Sequence, residues 1–195
     1  MSADGRRVII GLNLLSRGRA VRVYDADSGD QLAEYRGHRE DPKCVALSAD
    51  GRWAFSASLD HHAVWEVNAK TESPRLARGG NAIRCATFVP KTGRVVFGYA
   101  TGTVSAFDVA GTADVETFPD PPRDAVTCLA ISPNGRVVVA GVKDKTLRAW
   151  DVATRRLKWE VGDLTEEPAA AAFSSDGSRL VIAGGRSWAV WDLSE

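Results

Sequence analysis

The sequence predicts an all-β chain built from about five copies of one four-stranded antiparallel unit, with the first and last copies incomplete, and three observations carry that prediction. An aromatic residue followed by an acid and a small or aliphatic residue recurs as Tyr24-Asp25-Ala26, Trp65-Glu66-Val67, Phe107-Asp108-Val109, Trp150-Asp151-Val152 and Trp191-Asp192-Leu193, at steps of 41, 42, 43 and 41 residues. A short polar stretch ending in glycine recurs as Ser2-Ala3-Asp4-Gly5, Ser48-Ala49-Asp50-Gly51, Pro90-Lys91-Thr92-Gly93, Ser132-Pro133-Asn134-Gly135 and Ser174-Ser175-Asp176-Gly177, its glycines stepping by 46, 42, 42 and 42. The runs between these markers are rich in β-branched and aromatic residues, which favour strands. A fixed period of this size marks a repeat architecture, in which each unit buries its faces on its neighbours.

Within one period the elements follow in order. Asp-Gly and Asn-Gly suit a two-residue hairpin turn with positive φ, so each glycine marker is expected to join two antiparallel strands. Val126-Thr127-Cys128-Leu129-Ala130-Ile131 precedes one such turn and Arg136-Val137-Val138-Val139-Ala140 follows it. Continuous apolar runs of this kind fit strands buried on both faces. A third strand, Thr146-Leu147-Arg148-Ala149-Trp150, comes after the Lys143-Asp144-Lys145 loop, and a fourth, Leu157-Lys158-Trp159-Glu160-Val161, after Ala153-Thr154. Trp53, Trp159 and Trp188 alternate with polar residues and are expected to be partly buried packing.

These residues resemble the WD-repeat family, whose unit has this length, contributes four strands to a blade and ends a strand in Trp-Asp. The resemblance covers essentially all of residues 1–195 as a single β-propeller region, in repeats of approximately 1–37 (partial), 38–79, 80–122, 123–166 and 167–195. It implies a β-propeller or a propeller arc. It also implies a hydrogen-bonded tetrad within a blade, for which the second repeat offers His38, Ser56, Asp60 and Trp65; here Asp60 stands one residue closer to its tryptophan than Asp144 does to Trp150. The fourth repeat keeps only the partial pair Asp144 and Trp150.

In this register Met1 falls just before the first turn and Glu195 just after the last marker. About eighteen strands are expected, in a three-strand start, three complete blades and a three-strand end. A fragment of a longer propeller is the favoured expectation, beside an arc completed by a second molecule and an irregular five-bladed ring.

Composition limits the function classes. With 44% hydrophobic residues the chain can bury a sizeable core. Lys plus Arg and Asp plus Glu both total 25, so no overall field draws it to nucleic acid or an anionic membrane. No apolar run reaches the length of a membrane-spanning helix and the N-terminus lacks the apolar core of a signal peptide, which makes a cytoplasmic location the expectation. Cys44, Cys85 and Cys128 lack any C-x-x-C spacing and occupy one equivalent position in successive repeats, as small packing residues.

Catalysis is not expected. The sequence contains no nucleophile elbow, phosphate loop or zinc-helix motif, and its glycines are accounted for by the repeated turns. His61 and His62 are read as neighbours in the loop after Asp60 whose side chains point to opposite faces, so they do not chelate one ion, and no metal or cofactor is assigned. The segment that departs from the repeat, Gly11 to Arg19, holds no acid, histidine or cysteine.

The resemblance implies a non-enzymatic scaffold for a protein or peptide partner. Its loops place Arg39, Glu40, His61, His62, Arg123, Asp124, Lys143 and Lys145 as candidate contacts. A regulatory or sensor module of a larger signalling protein and, more remotely, a propeller-type enzyme are the alternatives. Self-association through open blade edges is a further expectation.

Overall fold

The computed structural model describes residues 1–14, 18–68, 76–79, 82–109 and 114–193, and among them every regular element is a β-strand. The strands are β1 (Arg7–Leu14), β2 (Gly18–Asp25), β3 (Gln31–Tyr35), β4 (Cys44–Leu47), β5 (Trp53–Ala57), β6 (His61–Glu66), β7 (Leu76–Gly79), β8 (Ile83–Phe88), β9 (Arg94–Tyr99), β10 (Val104–Asp108), β11 (Glu116–Thr117), β12 (Val126–Ile131), β13 (Val137–Val142), β14 (Leu147–Asp151), β15 (Leu157–Val161), β16 (Ala170–Phe173), β17 (Arg179–Gly184) and β18 (Ser187–Asp192). They pair only with sequence neighbours, forming five separate antiparallel sheets: β1–β3, β4–β7, β8–β11, β12–β15 and β16–β18. We number these blades one to five. The innermost strands β4, β8, β12 and β16 lie side by side and β1 flanks β4, so the sheets follow one another as an arc of propeller blades. Within the segment that departs from the repeat, β1 and β2 form a long hairpin, and residues 15–17 lie outside the described residues.

The turns differ from the expected two-residue form. In blade two the Gly51 N–H donates to the Ser48 carbonyl (2.9 Å), while the Ser48 hydroxyl accepts from the Trp53 N–H (2.9 Å) and donates to Asp50 (2.6 Å). A serine and an acid two residues on therefore build a longer turn, and glycine closes it at φ 67°. The same bonds recur at Ser2, Ser132 and Ser174. In the longer turn of blade three, positive φ passes to Lys91 at 61°. Gly135 takes φ 71° with Val89 beside it, so Gly135→Ala is expected to cost about 1 kcal/mol, read as a lower urea midpoint.

The apolar core is divided among the blade interfaces. Val21, Val23, Tyr35, Ala54 and Trp65 pack between blades one and two; Phe55, Val64, Phe97 and Phe107 between two and three; Val104, Phe118, Val138 and Trp150 between three and four; Val139, Leu147, Leu180 and Ile182 between four and five. The aromatic marker of each blade after the first packs toward the preceding blade, which is why a period near 42 residues repeats an aromatic at all. The thiols follow the same logic. Cys44, Cys85 and Cys128 lie on the inner strands opposite Ala57, Gly98 and Gly141, and a Cβ added at Gly141 would come within 2.6 Å of the Cys128 sulfur. Burial pushes the Cys44 thiol up to about 12 and raises the other two, so none is a ready thiolate at neutral pH.

Candidate functional site

The densest polar constellation sits at the end of blade two where β5 turns into β6. Ser56 comes from the interior of β5, His38 from the connection between blades one and two, and Trp65 from β6. His38 and Ser58 are each 5% exposed and Ser56 is fully buried, so their polar atoms need partners inside the protein. The His38 Nε2 atom lies 2.8 Å from the Ser56 hydroxyl, and the Trp65 indole N–H reaches that hydroxyl at a long 3.4 Å. On the other side of the ring, Nδ1 lies 2.8 Å from the Ser58 hydroxyl, which donates to Asp60. Asp60 also accepts from His61 Nδ1 (2.6 Å) and from the backbone N–H groups of Arg39 (3.1 Å) and Glu40 (3.3 Å).

The direction of each proton follows from chemistry. Burial works against the Asp60 carboxylate, but the bonds from Ser58, His61 and Arg39 outweigh it and hold its pKa well below the usual carboxylate range. An ionised carboxylate can only accept, so Ser58 donates to it and must itself accept from His38, whose proton therefore lies on Nδ1. Nε2 then accepts from Ser56, and Ser56 accepts from Trp65. A second run from the Tyr35 hydroxyl to His61 Nε2 (3.1 Å) reaches Asp60 through His61 Nδ1. Burial first, and the neighbouring His61 ring second, push His38 down to about 4, which keeps it neutral near pH 7.

His38, Asp60 and His61 bring donor atoms within 4.8 Å of one another, a grouping of the kind that can hold a metal ion. With Nδ1 of both rings carrying the proton given to Ser58 and Asp60, the cluster instead acts as a brace. It ties the blade-connecting segment at Arg39 and Glu40 to the turn before β6.

Other residues singled out from the sequence fall differently. His61 and His62 begin strand β6 rather than lying in a loop, and their side chains do take opposite faces. His62 is 5% exposed between Phe55 and Phe97, so its candidacy as a surface contact is corrected by its burial. Asp144 and Trp150 share no hydrogen bond: Asp144 caps Thr146, and the Trp150 indole donates to the Pro119 carbonyl at 3.1 Å. With no histidine in that blade, a backbone carbonyl takes the indole proton. Arg39, Glu40, Arg123, Lys143 and Lys145 are exposed and Asp124 is half-buried. Lys145 donates to the Thr165 carbonyl at 3.1 Å, and Asp124 caps the Ala125 N–H at 2.7 Å. The two groups lie at equivalent ends of blades two and four.

Sequence reasoning missed Ser58, Tyr35 and Leu59. Leu59 is 57% exposed at the tip of the braced turn and lines a cavity of about 470 Å³ with Lys43, Ile83, Arg84, Thr127 and Glu167. An aliphatic residue between Ser58 and Asp60 is the only signal that marks it in the sequence. A larger cleft of about 610 Å³ lies between blades four and five beside Trp159, Phe173 and Trp191.

Comparison with known proteins bears on the repeat. The family model described as WD domain, G-beta repeat matches residues 29–65 and 114–151, two windows that close on the second and fourth aromatic markers. The chain belongs to the WD-repeat family. Among similar WD-repeat and related proteins, U3 small nucleolar RNA-associated protein 12 of Saccharomyces cerevisiae is 30% identical over 118 residues, covering 60% of this chain and 12% of that protein. Human WD repeat-containing protein 3 is 31% identical over 115 residues, covering 59% of this chain and 12% of its own length. Nuclear distribution protein nudF of Aspergillus niger is 25% identical over 182 residues, covering 92% of this chain and 36% of that protein. The chain thus spans about an eighth of the first two relatives it matches. In WD-repeat terms, blade two brings His38, Ser56 and Trp65 together directly and reaches Asp60 through Ser58.

Proposed function

We propose that this WD-repeat chain is a non-catalytic scaffold that binds an extended protein segment across the loop end of blades two to five. The carrying observation is Leu59: an exposed aliphatic side chain held at a fixed position by the Asp60 brace, at the edge of a cavity that also offers Lys43, Arg84 and Glu167. An apolar anchor with both signs of charge around it suits a peptide carrying an apolar residue beside an acid. The absence of net charge supports a protein partner over nucleic acid or a membrane surface.

Peptides selected from a random display library on the wild-type chain test this reading. With Leu59→Glu and Arg84→Glu combined, the selected peptides are expected to bind at least about tenfold more weakly, the equivalent of about 1.4 kcal/mol, while the thermal midpoint is unchanged. Undiminished binding would place the site elsewhere, with the cleft beside Trp159 and Trp191 as the next surface to vary. A cytoplasmic location is part of the proposal, and imaging of the tagged chain decides between it and the nucleolus, to which the name of the U3 small nucleolar RNA-associated relative points.

A further inference from the structure

Every contact between neighbouring blades joins two kinds of face. The face turned toward the preceding blade carries the residue paired across the sheet with the marker aromatic, which is Ala54, Val95, Val138 or Leu180 in blades two to five, each fully buried. The face turned toward the following blade carries three other repeated positions. One is the residue that follows that paired residue in the chain (Phe55, Val96, Val139); the others precede the marker aromatic by one (Val64, Ala106, Ala149) and by three (His62, Val104, Leu147), and none of these nine is more than 5% exposed.

In blade five the same three positions are Val181, Val190 and Trp188, exposed by 38%, 50% and 73%. The expectation that Trp188 is partly buried fails because no sheet among the described residues lies against this face. Blade one leaves the opposite kind of face uncovered: Val8 and Tyr24 are half-buried and Ile10 is 41% exposed. By register these match Leu180, Trp191 and Ile182, the residues with which blade five covers blade four. Blades one and five therefore carry the two halves of the interface that the described blades form four times between them. On the blade-one face Glu34 pairs with both Arg22 (2.8 Å) and Arg36 (3.0 Å), and on the blade-five face Arg179 lies opposite Asp192, so no like-charge barrier keeps the two apart.

We infer that the blade-five face of one copy packs on the blade-one face of a second copy, head to tail. Such a contact is heterologous and propagates into a ring or a short filament. This inference stands independently of the peptide site at Leu59.

Light scattering after size exclusion, across the micromolar range, tests it with two variants: Trp188→Glu with Val190→Glu, which blocks one face, and Ile10→Glu, which blocks the other. All three sites are exposed, and circular dichroism melting checks that both variants fold. The wild-type chain is expected at multiples of 20.9 kDa and each variant alone at 20.9 kDa. The two variants mixed in equal amounts should give a species of twice that mass, because one intact face remains on each. A monomeric wild type, a mixture that stays monomeric, or a blocked variant that still associates overturns the inference. So does a monomeric natural chain extended beyond Glu195, which would assign the blade-five face to the added segment.

Discussion

Trp150→Ala is expected to destabilise the chain by about 4 kcal/mol, the largest effect of any single substitution considered. The side chain is fully buried between blades three and four, among Val104, Phe118 and Val138. Phe118 meets its ring edge-on at 6.0 Å between centroids. Truncation removes the apolar area and leaves a cavity, because close-packed strands on both sides relax only partly. It also strands the Pro119 carbonyl that accepts the indole proton. Against a typical domain stability of about 5–15 kcal/mol, such a loss brings the chain near its unfolding threshold at room temperature. Trp150→Phe keeps most of the volume and should lose about 1–2 kcal/mol, the hydrogen bond plus a small void. Urea midpoints at pH 7 read both, and equal losses for the two variants would show that packing does not dominate there.

The second large effect is an acid-induced loss of stability centred on His38. Its pKa in the fold is about 4 against an ordinary value near 6.5, because burial penalises the charged ring and His61 adds repulsion. A group easier to protonate when unfolded contributes its full stability above the unfolded pKa, and that contribution falls as pH drops from about 6.5 to about 4. The loss over this window is about 3 kcal/mol. Asp60 acts in the same direction at lower pH. Its folded pKa is held below the unfolded value near 3.9, so its stabilisation is present above that value and disappears as the pH falls further. Urea midpoints at pH 7, 5.5 and 4 should fall steeply for the wild type. His38→Gln should be less stable at pH 7 but much flatter between pH 6.5 and 4. Parallel pH profiles for the two proteins would remove His38 as the source.

The fold was legible because blade interfaces impose a period on the chain: an aromatic facing the previous blade, a serine-acid-glycine turn, and a cysteine opposite a small residue on the inner strands. Local detail was less legible where one residue changes the geometry. The turn before β6 is short, so Asp60 sits too near Trp65 to follow the spacing of blade four, and Ser58 bridges it to His38. Nothing in the adjacent pair His61-His62 marks one as part of the brace and the other as core. Strand pairing decides this, by sending alternate side chains to opposite faces once β6 begins at His61. The bond from Trp150 to Pro119 depends on a backbone carbonyl and carries no side-chain signature at all. Leu59 was missed for a related reason, since exposure at a loop tip is a property of the arc and not of the residue.

The most direct test of the binding account is photo-crosslinking with a reactive side chain installed in place of Leu59, and in separate proteins in place of Asn134 and Asp176 at the opposite, turn-bearing end of the blades. In extracts of its own cells, the account predicts discrete protein adducts from position 59 and few or none from the other two. Adducts that arise only from positions 134 and 176 would contradict it.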